Sequence, residues 1–128
     1  MNKIFYPIFL LIIILFEGCS YKQPISSQSS IILIKTPAMK FHDTGFVTKY
    51  KDNIQLQIFN AGHLVLNLII YKDKVCKSTF KCQSSKEFNK LYFNRSYKDD
   101  FLYNLFRKNK IYFKDKKNKI LIKAKKYE

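Results

Sequence analysis

Residues 53–71 read NIQLQIFNAGHLVLNLIIY, and their spacing predicts a β-hairpin. Ile54, Leu56 and Ile58 alternate with Gln55 and Gln57, the period-two pattern of a strand with one face buried. Asn60-Ala61-Gly62 supplies a short turn. Beyond it Leu64, Leu66, Leu68 and Ile70 share one face while Val65 and Ile69 partly cover the other, which predicts a central strand buried on both sides.

Working outward, Ile31 to Thr36 is a β-branched run stopped by Pro37 and reads as a strand. Phe41 to Tyr50 reads as another, with Gly45 marking a bulge or bend. Downstream, VCKSTFKC places Cys76 and Cys82 at the two ends of a turn between extended pieces. The period then changes. Ser84-Ser85-Lys86-Glu87 is a capping box, followed by Phe88, Leu91 and Tyr92 at helical spacing. A second short helix is expected after Asp99-Asp100, whose charges suit the positive end of a helix dipole, with Phe101, Leu102, Leu105 and Phe106 as its apolar stripe. A last hairpin turns at Asp115 to Asn118, with Ile111, Phe113, Ile120 and Ile122 on one face. Strands, then two helices, then a hairpin predict an α+β domain. Its length suits an antiparallel sheet of six or seven strands with two short helices packed on it.

The N-terminus has a different chemistry. Lys3 precedes an unbroken apolar run from Ile8 to Phe16, shorter than the roughly 20 residues a bilayer span requires. That order predicts a signal peptide over residues 1–18. Phe16-Glu17-Gly18-Cys19 resembles the lipobox of bacterial lipoproteins, with Phe16 standing where Leu is usual. The resemblance implies that Cys19 becomes the first residue and carries diacylglycerol and an N-acyl chain of the palmitate class. Residues 19–30 then form the lipidated cysteine and a Ser-rich tether containing Pro24, and residues 31–126 form a single domain. With Cys19 committed to lipid, Cys76 and Cys82 remain as a pair, and in an exported chain they are expected to form a disulfide.

The chain has 128 residues, with 24 Lys plus Arg against 9 Asp plus Glu, a formal charge of +15. Loss of Lys3 and Glu17 with the leader leaves that charge unchanged. Three glycines and this length exclude large two-domain enzymes and dinucleotide-binding folds. No catalytic constellation is expected. Asp43-Thr44-Gly45 matches the aspartic-protease triplet in letters, but Phe46 follows it, and it reads better as a turn with Gly45 at positive φ. His42 and Asp43 are neighbours on a strand and face opposite ways. Two thiols, with His42 and His63 far upstream, do not make a metal site, so neither a metal nor another cofactor is expected beyond the lipid on Cys19. The lysine excess fits anionic lipid or lipopolysaccharide headgroups better than nucleic acid in an exported protein, and an AT-rich coding sequence yields the same composition.

Two resemblances extend this reading. The stretches TPAMKFHDTGFV, IQLQIFNAGHLVLNLIIYKDKVC and SSKEFNKLYF resemble small lipoproteins of Helicobacter and Campylobacter relatives, which implies an envelope location. The layout IQLQIF, NAGH and LVLNLII, then the helix from Ser84 and the stripe Phe101, Leu102, Leu105, Phe106, resembles the family of the outer-membrane lipoprotein receptor LolB and its carrier LolA. That resemblance implies a curled sheet around short helices and a hollow that takes acyl chains of lipoproteins. In this sequence Leu64, Leu66, Leu68, Phe88, Leu91, Leu105 and Phe106 would line it. The expected function is therefore a non-catalytic, membrane-anchored envelope lipoprotein, with Ser20 after Cys19 pointing to the outer membrane facing the periplasm. Its candidate partners are lipoprotein acyl chains in the hollow. The alternative is a structural or accessory lipoprotein that binds a protein partner or an anionic envelope component through its basic face. No pattern predicts an oligomeric state.

Overall fold

A computed structural model describes residues 3, 5–14, 22–78 and 81–127. After a short helix α1 (Phe5–Ile14), the chain forms β1 (Ser26–Lys35), β2 (Lys40–Lys49), β3 (Ile54–Asn60), β4 (His63–Ile70), β5 (Lys74–Lys77) and β6 (Lys81–Ser84). Helices α2 (Ser85–Tyr92) and α3 (Phe101–Arg107) follow, then β7 (Ile111–Asp115) and β8 (Ile120–Lys126). The strands make one 8-stranded sheet in the order β6-β5-β4-β3-β2-β1-β8-β7, antiparallel at each pairing. The chain enters mid-sheet, walks by hairpins to the β6 edge, crosses one face through α2 and α3, and returns at the β7 edge. This is the α+β order expected from sequence.

The expected curl is absent: the sheet is open, with β6 and β7 as its two edges. Helices α2 and α3 pack on the same face of this sheet. Ile32, Ile34, Val47, Ile54, Leu56, Ile58, Leu68, Ile70 and Val75 pack there against Phe88, Leu102, Leu105 and Phe106 in one cluster. The edge strands are short, four and five residues, and carry lysines, which discourages pairing with other chains.

The hairpin of residues 53–71 forms as read, and its turn has positive φ at both Ala61 and Gly62, the geometry a two-residue hairpin loop favours. Its second strand departs from expectation. Only Leu68 and Ile70 of β4 are buried, and the His63–Val65 end is exposed because α2 and α3 do not reach it. The bulge predicted at Gly45 also moves. Gly45 pairs in register with Ser30 and Ile58, and the irregularity falls between Ile58 and Phe59. Gly45 is glycine because a Cβ there would meet the Gln57 carbonyl oxygen at 2.0 Å and Ile32 Cδ1 at 2.8 Å. Strand β1 begins at Ser26 rather than at Ile31, so part of the expected tether is paired with β2.

In α2 the N-cap half of the expected capping box forms, with Ser84 Oγ accepting from the Glu87 amide at 3.2 Å. The buried stripe is Ser85, Phe88 and Asn89, and Leu91 is 57% exposed. Polar residues hold the inner positions because they bond backbone: Ser85 Oγ donates to the Lys72 carbonyl at 3.2 Å, and Asn89 Nδ2 to the Lys98 carbonyl at 2.9 Å. Asp100 is the N-cap of α3 but makes no side-chain capping bond. That helix is clamped at its other end. Lys49 Nζ donates to the Arg107 carbonyl at 2.9 Å, and the Arg107 guanidinium donates to the Tyr50 and Lys51 carbonyls at 2.6 and 2.8 Å.

Candidate functional site

Paired residues in an antiparallel sheet share a face, so the register assigns every strand side chain to the helix side or the open side. Across the β2-β1-β8-β7 half, one row of the open face is Lys40, Lys35, Leu121 and Lys114. The next is His42, Leu33, Lys123 and Tyr112. A third carries Thr44, Ile31 and Lys125, and beyond it Phe46 lies beside Ser29. All the lysines in these rows are exposed, and between them Ile31, Phe46 and Tyr112 are 40, 42 and 50% exposed. Phe46 meets Phe59 of β3 edge to face, with ring centroids 5.9 Å apart. With strands about 4.8 Å apart and same-face residues about 7 Å apart along each, the rows form an array of ammonium groups over an apolar floor.

No acidic side chain faces this side among the described strand residues. The two carboxylates within strands, Asp43 and Asp115, stand at positions paired with Ile32 and Ile120, on the helix side. Both are engaged there. Asp43 accepts from Asn60 Nδ2 at 2.9 Å. Asp115 Oδ2 accepts from the Tyr97 hydroxyl at 2.5 Å and from Asn118 Nδ2 at 2.7 Å. The Tyr97 donation, followed by that of Asn118, holds the Asp115 carboxyl below the ordinary aspartate range. Burial and then the carboxylate push the Tyr97 hydroxyl well above the ordinary tyrosine range. At the margin of the face, Gln28, Lys110, Tyr112, Lys123, Lys125 and Lys126 line a cleft of about 600 Å³. The array can bind multiple negative charges. It holds no nucleophile–base pair.

The residues expected to line an acyl hollow are divided between core and surface. Leu68, Phe88, Leu105 and Phe106 are buried in the packed core, Leu66 is half-buried, and Leu64 and Leu91 are exposed. Leu105 borders a cleft of about 360 Å³ with Phe101 and Phe113, while Leu64 and Leu66 border a separate one of about 320 Å³ with Lys77 and Lys81. Cys76 and Cys82 form the expected disulfide, pairing directly across β5 and β6. The lipidation position, Cys19, lies outside the described residues. Asp43-Thr44-Gly45 is mid-strand rather than in a turn, and Gly45 does not take positive φ. Among the described residues, no cluster of His, Cys, Asp and Glu could hold a metal ion.

The open-face lysines were visible in sequence only as scattered charge. Strand parity is the signal that finds them: once Ile120 and Ile122 are read as inward, Lys123 and Lys125 must point the other way.

No protein-family model matches the chain, and no curated protein or solved structure is significantly similar to it.

Proposed function

We propose that the chain is a lipid-anchored, non-catalytic protein of the bacterial envelope that binds an anionic envelope component through the open face of its sheet. The observation that carries the binding role is the segregation of charge. Lys35, Lys40, Lys114, Lys123 and Lys125 share a face on which no strand carboxylate stands, because Asp43 and Asp115 are turned to the helix side. The anchor reading rests on Lys3, the apolar run Ile8 to Phe16 and Gly18-Cys19. Consistent with a segment outside the domain, Tyr6 and Ile8 to Ile13 are exposed. No helix among the described residues is long and apolar enough to cross a membrane. Ser20 after Cys19 supports the outer membrane as the destination, facing the periplasm.

Packing of Leu68, Phe88, Leu105 and Phe106 into the core favours this face over an acyl-binding hollow as the working surface. The test has two halves. The full chain is expressed in a lipoprotein-processing bacterium beside Cys19→Ser, and the N-terminal peptide is identified by mass spectrometry. The expected peptide begins at an acylated Cys19 and is absent from the variant; a mature chain that retains residues 5–18 overturns the anchor. For binding, residues 20–128 are passed over immobilised polyphosphate. Salt-sensitive retention that Lys123→Glu and Lys125→Glu reduce is expected, and retention indifferent to those changes overturns the role of the face.

A further inference from the structure

We infer that the anionic component is a bilayer surface, and that the domain lies with its open face flat on the leaflet that holds its anchor. The inference rests on the anionic-partner reading above and names that partner.

Three observations lead to it. The first is reach. Strand β1, where the chain enters the sheet, lies within the basic half, and Ser26 is its first residue. Only residues 20–25 separate it from Cys19, and six extended residues span roughly 20 Å at most. A domain held so closely meets its own membrane at a high effective concentration, whatever else it binds.

The second is the mixture of chemistries. Lysines stand around and between Ile31, Leu33, Leu121, Phe46 and Tyr112, all exposed or half-buried. A soluble polyanion can neutralise the ammonium groups but leaves that apolar floor in water. A headgroup layer satisfies both. Aliphatic stems and the Tyr112 ring settle at headgroup depth, while the ammonium groups reach the phosphates.

The third is shape. The sheet is open and the helices cover only its other side, so the basic side is free to lie against an extended plane. Two or three acyl chains already hold such a protein on its membrane. The face therefore adds orientation rather than retention. It fixes the layer of α2 and α3 outward, with Leu91, Lys86 and Lys90 turned to solvent.

The test uses residues 20–128, which contain every residue of the core cluster and lack the anchor. Partitioning onto phosphatidylcholine vesicles with and without phosphatidylglycerol is measured by sedimentation at low and high salt. Binding is expected only with phosphatidylglycerol and is expected to weaken with salt. Each membrane-facing lysine contributes about fivefold to partitioning, so Lys35→Gln, Lys123→Gln and Lys125→Gln together should lower it on the order of a hundredfold. The matched set Lys86→Gln, Lys90→Gln and Lys98→Gln, on the helix side, should leave it within about twofold of the parent. Ile31→Ser with Tyr112→Ser should weaken vesicle binding and spare polyphosphate binding. Equal losses from the two lysine sets overturn the pose. Retention by polyphosphate with no partitioning onto vesicles overturns the bilayer while leaving the anionic-partner reading intact. Loss of both overturns the two together. Circular dichroism with a melting curve for each variant separates lost binding from lost folding.

Discussion

The Tyr97–Asp115 pair ties the connection between α2 and α3 to the β7–β8 turn, and it makes stability depend on pH at both extremes. Asp115 is lowered by the Tyr97 donation, so its contribution is present above the ordinary aspartate value near 4 and is lost as pH falls through the lowered folded value. Tyr97 is raised by burial, so the neutral hydroxyl contributes below about pH 10 and the contribution is lost as pH rises through the raised folded value. Tyr97→Phe removes the donor while keeping the ring between Phe101 and Phe113, whose centroids lie 4.7 and 5.5 Å away. The Asp115 midpoint should then move up toward the ordinary range, read by a carboxyl carbon titration in NMR. An unmoved midpoint would show that Asn118 alone holds the carboxylate. Residue-scale features of this kind are poorly legible in sequence, because partners such as Asp115 and Tyr97 meet only through tertiary folding. Gly45 makes the same point. A glycine inside a strand pattern announced an irregular backbone, whereas the cause is the Gln57 carbonyl crowding the place of a Cβ.

Elements were legible wherever one face is apolar. The β3–β4 hairpin, the capping box at Ser84 and the last hairpin all carry their pattern within a dozen residues. Strand β1 shows where that fails: Ser26 to Ser29 have no apolar alternation, and they are extended because the backbone of β2 supplies the partner. The β5–β6 hairpin is a different case. Strands of four residues at a sheet edge are weak by themselves, and Cys76–Cys82 closes the turn with a sequence separation of 6. Constraining a loop that small stabilises by about 2 kcal/mol through the unfolded state. Reduction, or Cys76→Ser with Cys82→Ser, should lower stability by about that amount in urea titrations. The loss should show in amide exchange at β5 and β6 before β1 to β3, since β6 is an edge strand paired only with β5, and both strands are only four residues long. Uniform loss of protection across the sheet would mean that the hairpin is part of the cooperative core.

At the scale of the molecule, the question is whether the apolar layer between sheet and helices is filled or hollow. A curled sheet and a lined cavity were the expectation drawn from resemblance, and the sequence itself could not decide it: Leu68, Phe88, Leu105 and Phe106 have the same letters in a wall as in a core. Packing separates the two. These side chains are exposed by 4% or less and touch one another's neighbours in a single cluster with Ile32, Leu56 and Ile122. Removing a ring from a filled interior leaves a void whose lining loses its contacts, at a cost of about 3–5 kcal/mol for Phe→Ala. Phe106→Ala should therefore shift the urea midpoint of residues 20–128 by that much, with no change in what the protein carries through purification. Leu64→Ala, at a position 48% exposed, should cost less than about 1 kcal/mol. A wall residue would behave in the opposite way. Phe106→Ala would leave stability within about 1 kcal/mol of the parent, and native mass spectrometry of the parent would show a retained fatty acid or phospholipid that the variant loses. That outcome would return the acyl-carrier function to first place, and the lysine face would then be the surface that brings the carrier to its membrane.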